Sequence, residues 1–480
     1  MAPWTLPQFG ASGPAIAPTL RTGARTSGAR RSVFGLPRAA APAGPRWRSV
    51  SQARSLIPPR LLPILYLAVA HGALLLAFTA VARDPRSVAG FFYHPRMLGL
   101  VHLVTLGWIT GSILGTLYIV APMALRVALP ARWGDYVAFA LLTIGVIGMV
   151  GHFWIEEYGG MAWSAGTAGA GILIAAVRAI KPLRSDRVEP AVRAHVLLAF
   201  LNIAGAAVMG VLLAIQKVHP FLPGYTLTNV YAHAHLAAIG WATLMVVGVA
   251  YRLLPMVLPS EMPRGRRLWA SAVLIEAGTA GLFVSLLLRS RAVPVFAVLV
   301  VGGIATFLSV VTTMLRHRKP RPPAIRTPDP AVLHAAAALL SLVAACVLGL
   351  WLAFAPVMAS TPAIAMAYGV LGLVGFLAQM IVAMKGRLLP TFAWYWAMTN
   401  TNYKGPVTPP HDMPWHPAQL IVVGLWWTGL PLLVWGLASG TVPIIRVSGW
   451  LLLVATALDT VQAGYILRHA YERPATAQGA

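Results

Sequence analysis

The chain has 480 residues, 58% hydrophobic and 10% charged, with a mean hydropathy of +0.73. Those proportions exclude a soluble globular protein and leave little chain for a catalytic domain outside a membrane. The net charge of +25 does not point to nucleic acid, because the basic residues gather in alternate loops.

Residues 1–57 come first. Residues 1–58 carry eight Arg and no acid, among many Ala, Pro, Ser and Gly. Such a composition builds no core. It superficially resembles an organellar transit peptide, but it is read as a disordered basic cytoplasmic segment or as the product of a start codon assigned too far upstream. No apolar stretch precedes a small-residue cleavage site, as a secretory signal would require.

A membrane domain is expected over 58–470, with a short tail at 471–480. It holds twelve apolar runs, near 59–81, 98–122, 134–152, 161–179, 191–215, 230–257, 268–288, 293–315, 331–355, 364–389, 416–438 and 444–468. Each is long enough to cross a hydrocarbon core of about 30 Å. The fold class is therefore all-α integral membrane, in three pseudo-repeated four-helix units near 59–180, 190–315 and 331–468. Two longer connections are expected, at 318–330 and 390–415. The second carries Trp394, Tyr395, Trp396, Tyr403 and Trp415, which suit a membrane–water interface.

Basic clusters recur in every second loop: Arg126 and Arg132, the group from Arg178 to Arg193, Arg264 to Arg267, and Arg316 to Arg326. The alternate loops are sparser, and one carries Glu156 and Glu157. The positive-inside rule then puts both termini in the cytoplasm, with a bacterial inner membrane as the expected location. Arg289 and Arg291 are a minor violation. The single cysteine, Cys346, excludes disulfides and cysteine metal clusters, and is read as a helix-packing residue.

The strongest signal is a repeat. His102, Gly107, Trp108, Gly115, Tyr118 and Pro122 recur as His235, Gly240, Trp241, Gly248, Tyr251 and Pro255, 133 residues later. A third copy keeps Gly375 and Arg387-Leu-Leu-Pro390, with Val370 at the histidine position and Phe376 for the tryptophan. A histidine inside a membrane helix is a functional candidate. His102, His233 and His235 fall at similar depth near the outer ends of helices 2 and 6. His71 lies in the outer half of helix 1, and His94, His152 and His219 in outer loops or helix ends. His195 and His334, 139 residues apart, look like an equivalent pair near the inner ends of helices 5 and 9. Neutral imidazole is a good ligand for iron and copper, and two histidines from neighbouring helices can hold a haem axially. Glu276 and Asp459 are acids within apolar runs and are candidates for a proton route or for hydrogen-bonded packing. Gln379 and Lys385 are similar, Lys385 being expected to snorkel to the cytoplasmic interface.

His233-Ala-His235 with Gly240, Trp241, Gly248, Tyr251 and Pro255 resembles the His-x-His helix of haem–copper oxidase subunit I, the C-type oxygen reductases above all. The stretch from His94 to His102, Gly115, Tyr118 and Pro122 is similar to that family's second helix, also found in nitric oxide reductases. The NO-response membrane proteins of the NnrS type share the twelve helices and intramembrane histidines. The resemblance implies twelve helices in three arcs, with b-type haem and copper as cofactors. It makes His102 and His235 axial ligands of one haem, and His233 a ligand to another haem or to copper. It also implies an outer-side cytochrome or cupredoxin as electron partner, beside the lipid bilayer. Three departures narrow it. Ala237 and Ile239 leave no His-x-x-x-Tyr pair, helix 7 has no histidine pair, and helix 10 has no histidine. The expectation is a divergent oxidase-like protein for electron transfer or NO/O2 redox chemistry, without a complete dioxygen-reducing site. A polytopic transporter, or a non-catalytic assembly or sensing protein that kept the fold without cofactors, stays open at this point.

Overall fold

The computed structural model describes residues 56–402 and 407–472. The basic N-terminal segment up to residue 55, Tyr403 and the tail from residue 473 lie outside the described residues. The described chain is an integral membrane protein of twelve spanning helices: α1 Leu61–Arg83, α2 Pro95–Met123, α3 Trp133–Ile155, α4 Met161–Leu183, α5 Pro190–Gln216, α6 Thr226–Val257, α7 Arg266–Leu287, α8 Val293–Arg316, α9 Pro330–Phe354, α10 Thr361–Asn400, α11 His416–Ser439 and α12 Val442–Tyr471. In hydrocarbon every backbone amide must find a partner within the protein, and a helix satisfies its own. Below, the upper end of the bundle is the one where even-numbered helices begin.

One boundary differs from the sequence expectation. Helix α10 does not stop near residue 389 but continues to Asn400, so Trp394, Tyr395 and Trp396 are helical. Pro390 does not end it, nor do Pro122 and Pro255 end α2 and α6 before Met123 and Val257. A helical proline removes one hydrogen bond, and neighbouring helices can accommodate the gap.

The helices form a closed ring with three at its centre. Neighbours pack in chain order, α4 meets α5, α8 meets α9, and α12 returns to α1. The most apolar stretches of α2 and α6 are 72% and 67% buried, against 33% for α3 and α8, which identifies α2 and α6 as inner helices. Helix α10 joins them, because one short segment of each inner helix meets the other two.

Those segments are Leu103–Thr110, Leu236–Thr243 and Leu371–Ala378, and all three are π-helical. They follow directly on His102, His235 and Val370. The third forms without a histidine, so the wider turn belongs to the shared glycine and aromatic pattern. The glycines explain the packing. A Cβ on Gly107 would lie 2.5 Å from the Ala73 Cβ, one on Gly240 2.6 Å from the Asn202 side chain, and one on Gly375 2.8 Å from Ser341. Each inner helix thus sits on the first helix of its own unit. Trp108, Trp241 and Phe376 are all 1% exposed or less, and the Trp241 indole donates to Thr110 Oγ1 at 3.1 Å, tying the second unit to the first.

Buried ion pairs fix the lower end. Asp135 on α3 accepts from Tyr118 of α2 at 2.9 Å and pairs with Arg178 of α4. Arg387 pairs with Asp329, whose carboxylate also caps α9. Gly107→Ala is expected to destabilise the protein by roughly 1–3 kcal/mol, the usual cost of overpacking. Gly166→Ala, which meets nothing within 4 Å, should leave stability unchanged. Thermal unfolding in detergent checks this, and equal melting temperatures would contradict it.

Candidate functional site

His102 is the eighth residue of α2, about 10 Å along the axis from its upper end. Its Nδ1 lies 2.7 Å from the Leu98 carbonyl one turn earlier. A carbonyl only accepts, so Nδ1 carries the proton and the Nε2 lone pair is left for another partner. The ring stacks on Phe153 of α3, with centres 5.2 Å apart and planes 26° apart. Position, tautomer and ring plane are therefore all set by neighbours.

His235, tenth in α6, repeats the arrangement, with Nδ1 2.7 Å from the Tyr231 carbonyl. Its Nε2 is not free, because the Tyr368 hydroxyl of α10 lies 3.3 Å away. Two residues earlier on the helix, His233 faces away toward α5, its ring over Gly210 and against the Ala206 carbonyl. His233 Nδ1 is buried without a hydrogen-bond partner, and His102 is within electrostatic reach.

All three histidines line one cavity of about 270 Å³. It lies between α2, α3, α4, α5, α6 and α10, near the lower limit for small-molecule sites. Its walls are apolar and its α4–α5 side is built from small residues, including Ala165, Ala168, Gly169, Ala206 and Ala207. Such a wall suits a flat apolar body. Among the described residues no three His, Cys, Asp or Glu side chains converge closely enough to hold a metal ion. The cavity thus offers single nitrogens on separate walls, not a protein-built metal cage.

The rim carries groups that the sequence pattern does not single out. Lys217, just beyond the lower-to-upper run of α5, lines the cavity with Tyr93. Its ammonium lies 4.5 Å from the Tyr158 ring centre, 5.2 Å from Tyr93 and 6.0 Å from Phe153, the ring that stacks on His102. Burial pulls Lys217 below the ordinary lysine range and pushes Tyr93 up. Lys217 is legible in hindsight as a lysine at the basic-poor end of the bundle. Tyr368 is legible through the repeat, since it occupies in the third unit the place of His233 in the second.

The remaining sequence candidates lie elsewhere. His94 caps α2, accepting from the Arg96 amide at 3.3 Å, and His152 donates to the Glu157 carbonyl at 2.7 Å. His195 is locked between the Ala191 carbonyl at 2.8 Å and Ser271 at 3.0 Å, while His334 meets Gln379 at 3.3 Å. Glu276 is half-buried on α7 and accepts from Asn202 at 2.6 Å, away from the cavity. Asp459 is not beside it but pairs with Lys385. Lys385 is a correction: it does not snorkel, being 4% exposed and held by Asp459 and by His71 at 2.7 Å.

An amine below its ordinary range is neutral more often at a given pH, and so more nucleophilic. At pH about 8, a lysine-specific reagent should modify Lys217 faster than the exposed Lys319, as read by peptide mass spectrometry. Equal or slower labelling would contradict the assignment. The site rests on its own geometry, since no protein-family model matches the chain and no curated protein matches its sequence.

Proposed function

We propose that this protein binds one b-type haem in the histidine cavity and serves electron transfer or NO/O2-related redox chemistry in a bacterial inner membrane. The observation that carries the reading is the fixed tautomer of His102, whose Nε2 lone pair is left available in an apolar cavity. A carbonyl accepting from the other ring nitrogen is how ligating imidazoles are oriented and made more basic. Haem asks for one or two axial nitrogens and an apolar pocket, which the site offers. Copper asks for several converging protein ligands, which it does not.

The resemblance implies His235 as the second ligand beside His102. We assign that role to His233, because its Nδ1 is buried and unpaired and it lies near His102, whereas Nε2 of His235 is taken by Tyr368. A bound haem would supply one-electron redox chemistry and gas affinity. The chain's own residues hold His102 in plane through Phe153, exclude water with alanine and glycine walls, and set a cation at the rim. The basic loops at the lower end support a reading, by the positive-inside rule, in which that end faces the cytoplasm and the cavity rim faces outward. An outer-side cytochrome or cupredoxin would then be the electron partner.

Optical and electron paramagnetic resonance spectra of protein purified from haem-replete cells test this. The wild type should show a Soret band and a low-spin bis-histidine signal. His102→Ala or His233→Ala should each reduce that signal at least tenfold, while His235→Ala should retain it. No Soret band in the wild type would overturn haem binding. An unchanged low-spin signal in both His102→Ala and His233→Ala would overturn the ligand assignment.

A further inference from the structure

A second polar cluster lies deeper in the bundle. Lys385 is fifteen residues beyond Val370 on α10, about 20 Å further toward the lower end. It is 4% exposed, His71 of α1 is 3% and Asp459 of α12 is 9%. Lys385 Nζ pairs with the Asp459 carboxylate and lies 2.7 Å from His71 Nε2, while His71 Nε2 is 3.7 Å from Asp459 Oδ2. Trp108 covers the cluster, its ring 5.6 Å from Lys385 Nζ and its centre 5.0 Å from that of His71.

The hydrogen bonds define the proton count. His71 Nδ1 is 2.6 Å from the Leu67 carbonyl and must be the donor there. His71 Nε2 is then an acceptor, and Lys385 donates to it. The cluster so drawn holds one positive lysine, one negative aspartate and a neutral histidine, with no net charge. A protonated His71 could no longer accept from Lys385, but it could turn to Asp459. The three groups therefore have two arrangements that differ by one proton.

Lys385 also borders a cavity of about 70 Å³ between α2, α6 and α10, with Thr116, Met245 and Met384 among its lining. That is room for about two waters, with Thr116 and Lys385 as the polar side chains of an otherwise apolar lining. A buried ion pair is not needed for stability, since well-packed apolar residues do as well or better. Charges inside a membrane bundle are costly and mark function more often than packing.

We propose that Lys385, Asp459 and His71 form a proton-exchange site that takes up and releases one proton through this cavity. Lys385 passes its shared proton to His71 Nε2 and takes another from cavity water. The cluster gains one proton and one positive charge, and the water that gave it becomes hydroxide or is re-protonated from the lower side. Release reverses the steps. His334 of α9 is the further titratable group within electrostatic reach of Lys385 and Asp459, and Gln379 is its hydrogen-bond partner. The α2 contribution is the Trp108 indole, and the lining from α6 is apolar. The inference is independent of haem.

Infrared difference spectroscopy of the full chain in nanodiscs, with isotope-labelled histidine, tests it between about pH 5 and 8, where histidine titrates. A titrating imidazole band should be present in the wild type and lost in His71→Asn. In Lys385→Met, which removes the neighbouring positive charge and leaves Asp459 to pair with a protonated His71, its midpoint should rise by about one pH unit or more. The absence of any titrating band that His71→Asn removes would overturn the proposal. An unmoved or lowered midpoint in Lys385→Met would overturn it as well.

Discussion

The structure depends on how closely three helices can approach at its axis. Lipid tails are as apolar as leucine, so membrane helices associate through packing rather than through the hydrophobic effect. Here the packing is set by Gly107, Gly240 and Gly375, each of which places its inner helix against a small or medium side chain of the first helix in its unit. Once those helices are seated, Trp108, Trp241 and Phe376 fill the centre, and the π-helical stretches meet there. The same stretches follow directly on His102 and His235, so the packing that builds the core also fixes where the imidazoles stand.

The repeat makes units with one plan and different fillings. The equivalent positions Tyr66, His195 and His334 on α1, α5 and α9 all meet the inner helices, yet only the histidines find polar partners in Ser271 and Gln379. Position 233 is histidine in the second unit, while its counterpart in the third is Tyr368, which reaches back to His235. The cavity falls at the junction of the first two units because that is where histidines face small residues. The Lys385 cluster falls where the third unit closes on the first, through α12 and α1. Two polar sites in one apolar bundle are thus set apart by depth and by junction.

Much of this was legible in the sequence. Twelve spans, three units and the upper position of His102 and His235 follow from hydropathy and a 133-residue spacing. What was not legible depends on rotation and reach. Lys385 is close in sequence to basic Arg387, so it reads as an interfacial snorkeler. Only the helix rotation shows that it points inward to Asp459, 74 residues away. The repeat pairs His235 with His102, and only the different neighbours of His233 and His235, Gly210 and Tyr368, set the two imidazoles apart. The helical run past Pro390 was hidden because a proline and a cluster of aromatics look like a loop, when neighbouring packing can carry a helix through both.

The most direct measurement is a density map, by electron cryo-microscopy, of the protein purified from haem-replete membranes. The account predicts haem density in the cavity between α2 and α6, held by His102 and His233. A cavity filled by lipid or water, with Nε2 of His102 facing no metal, would contradict it.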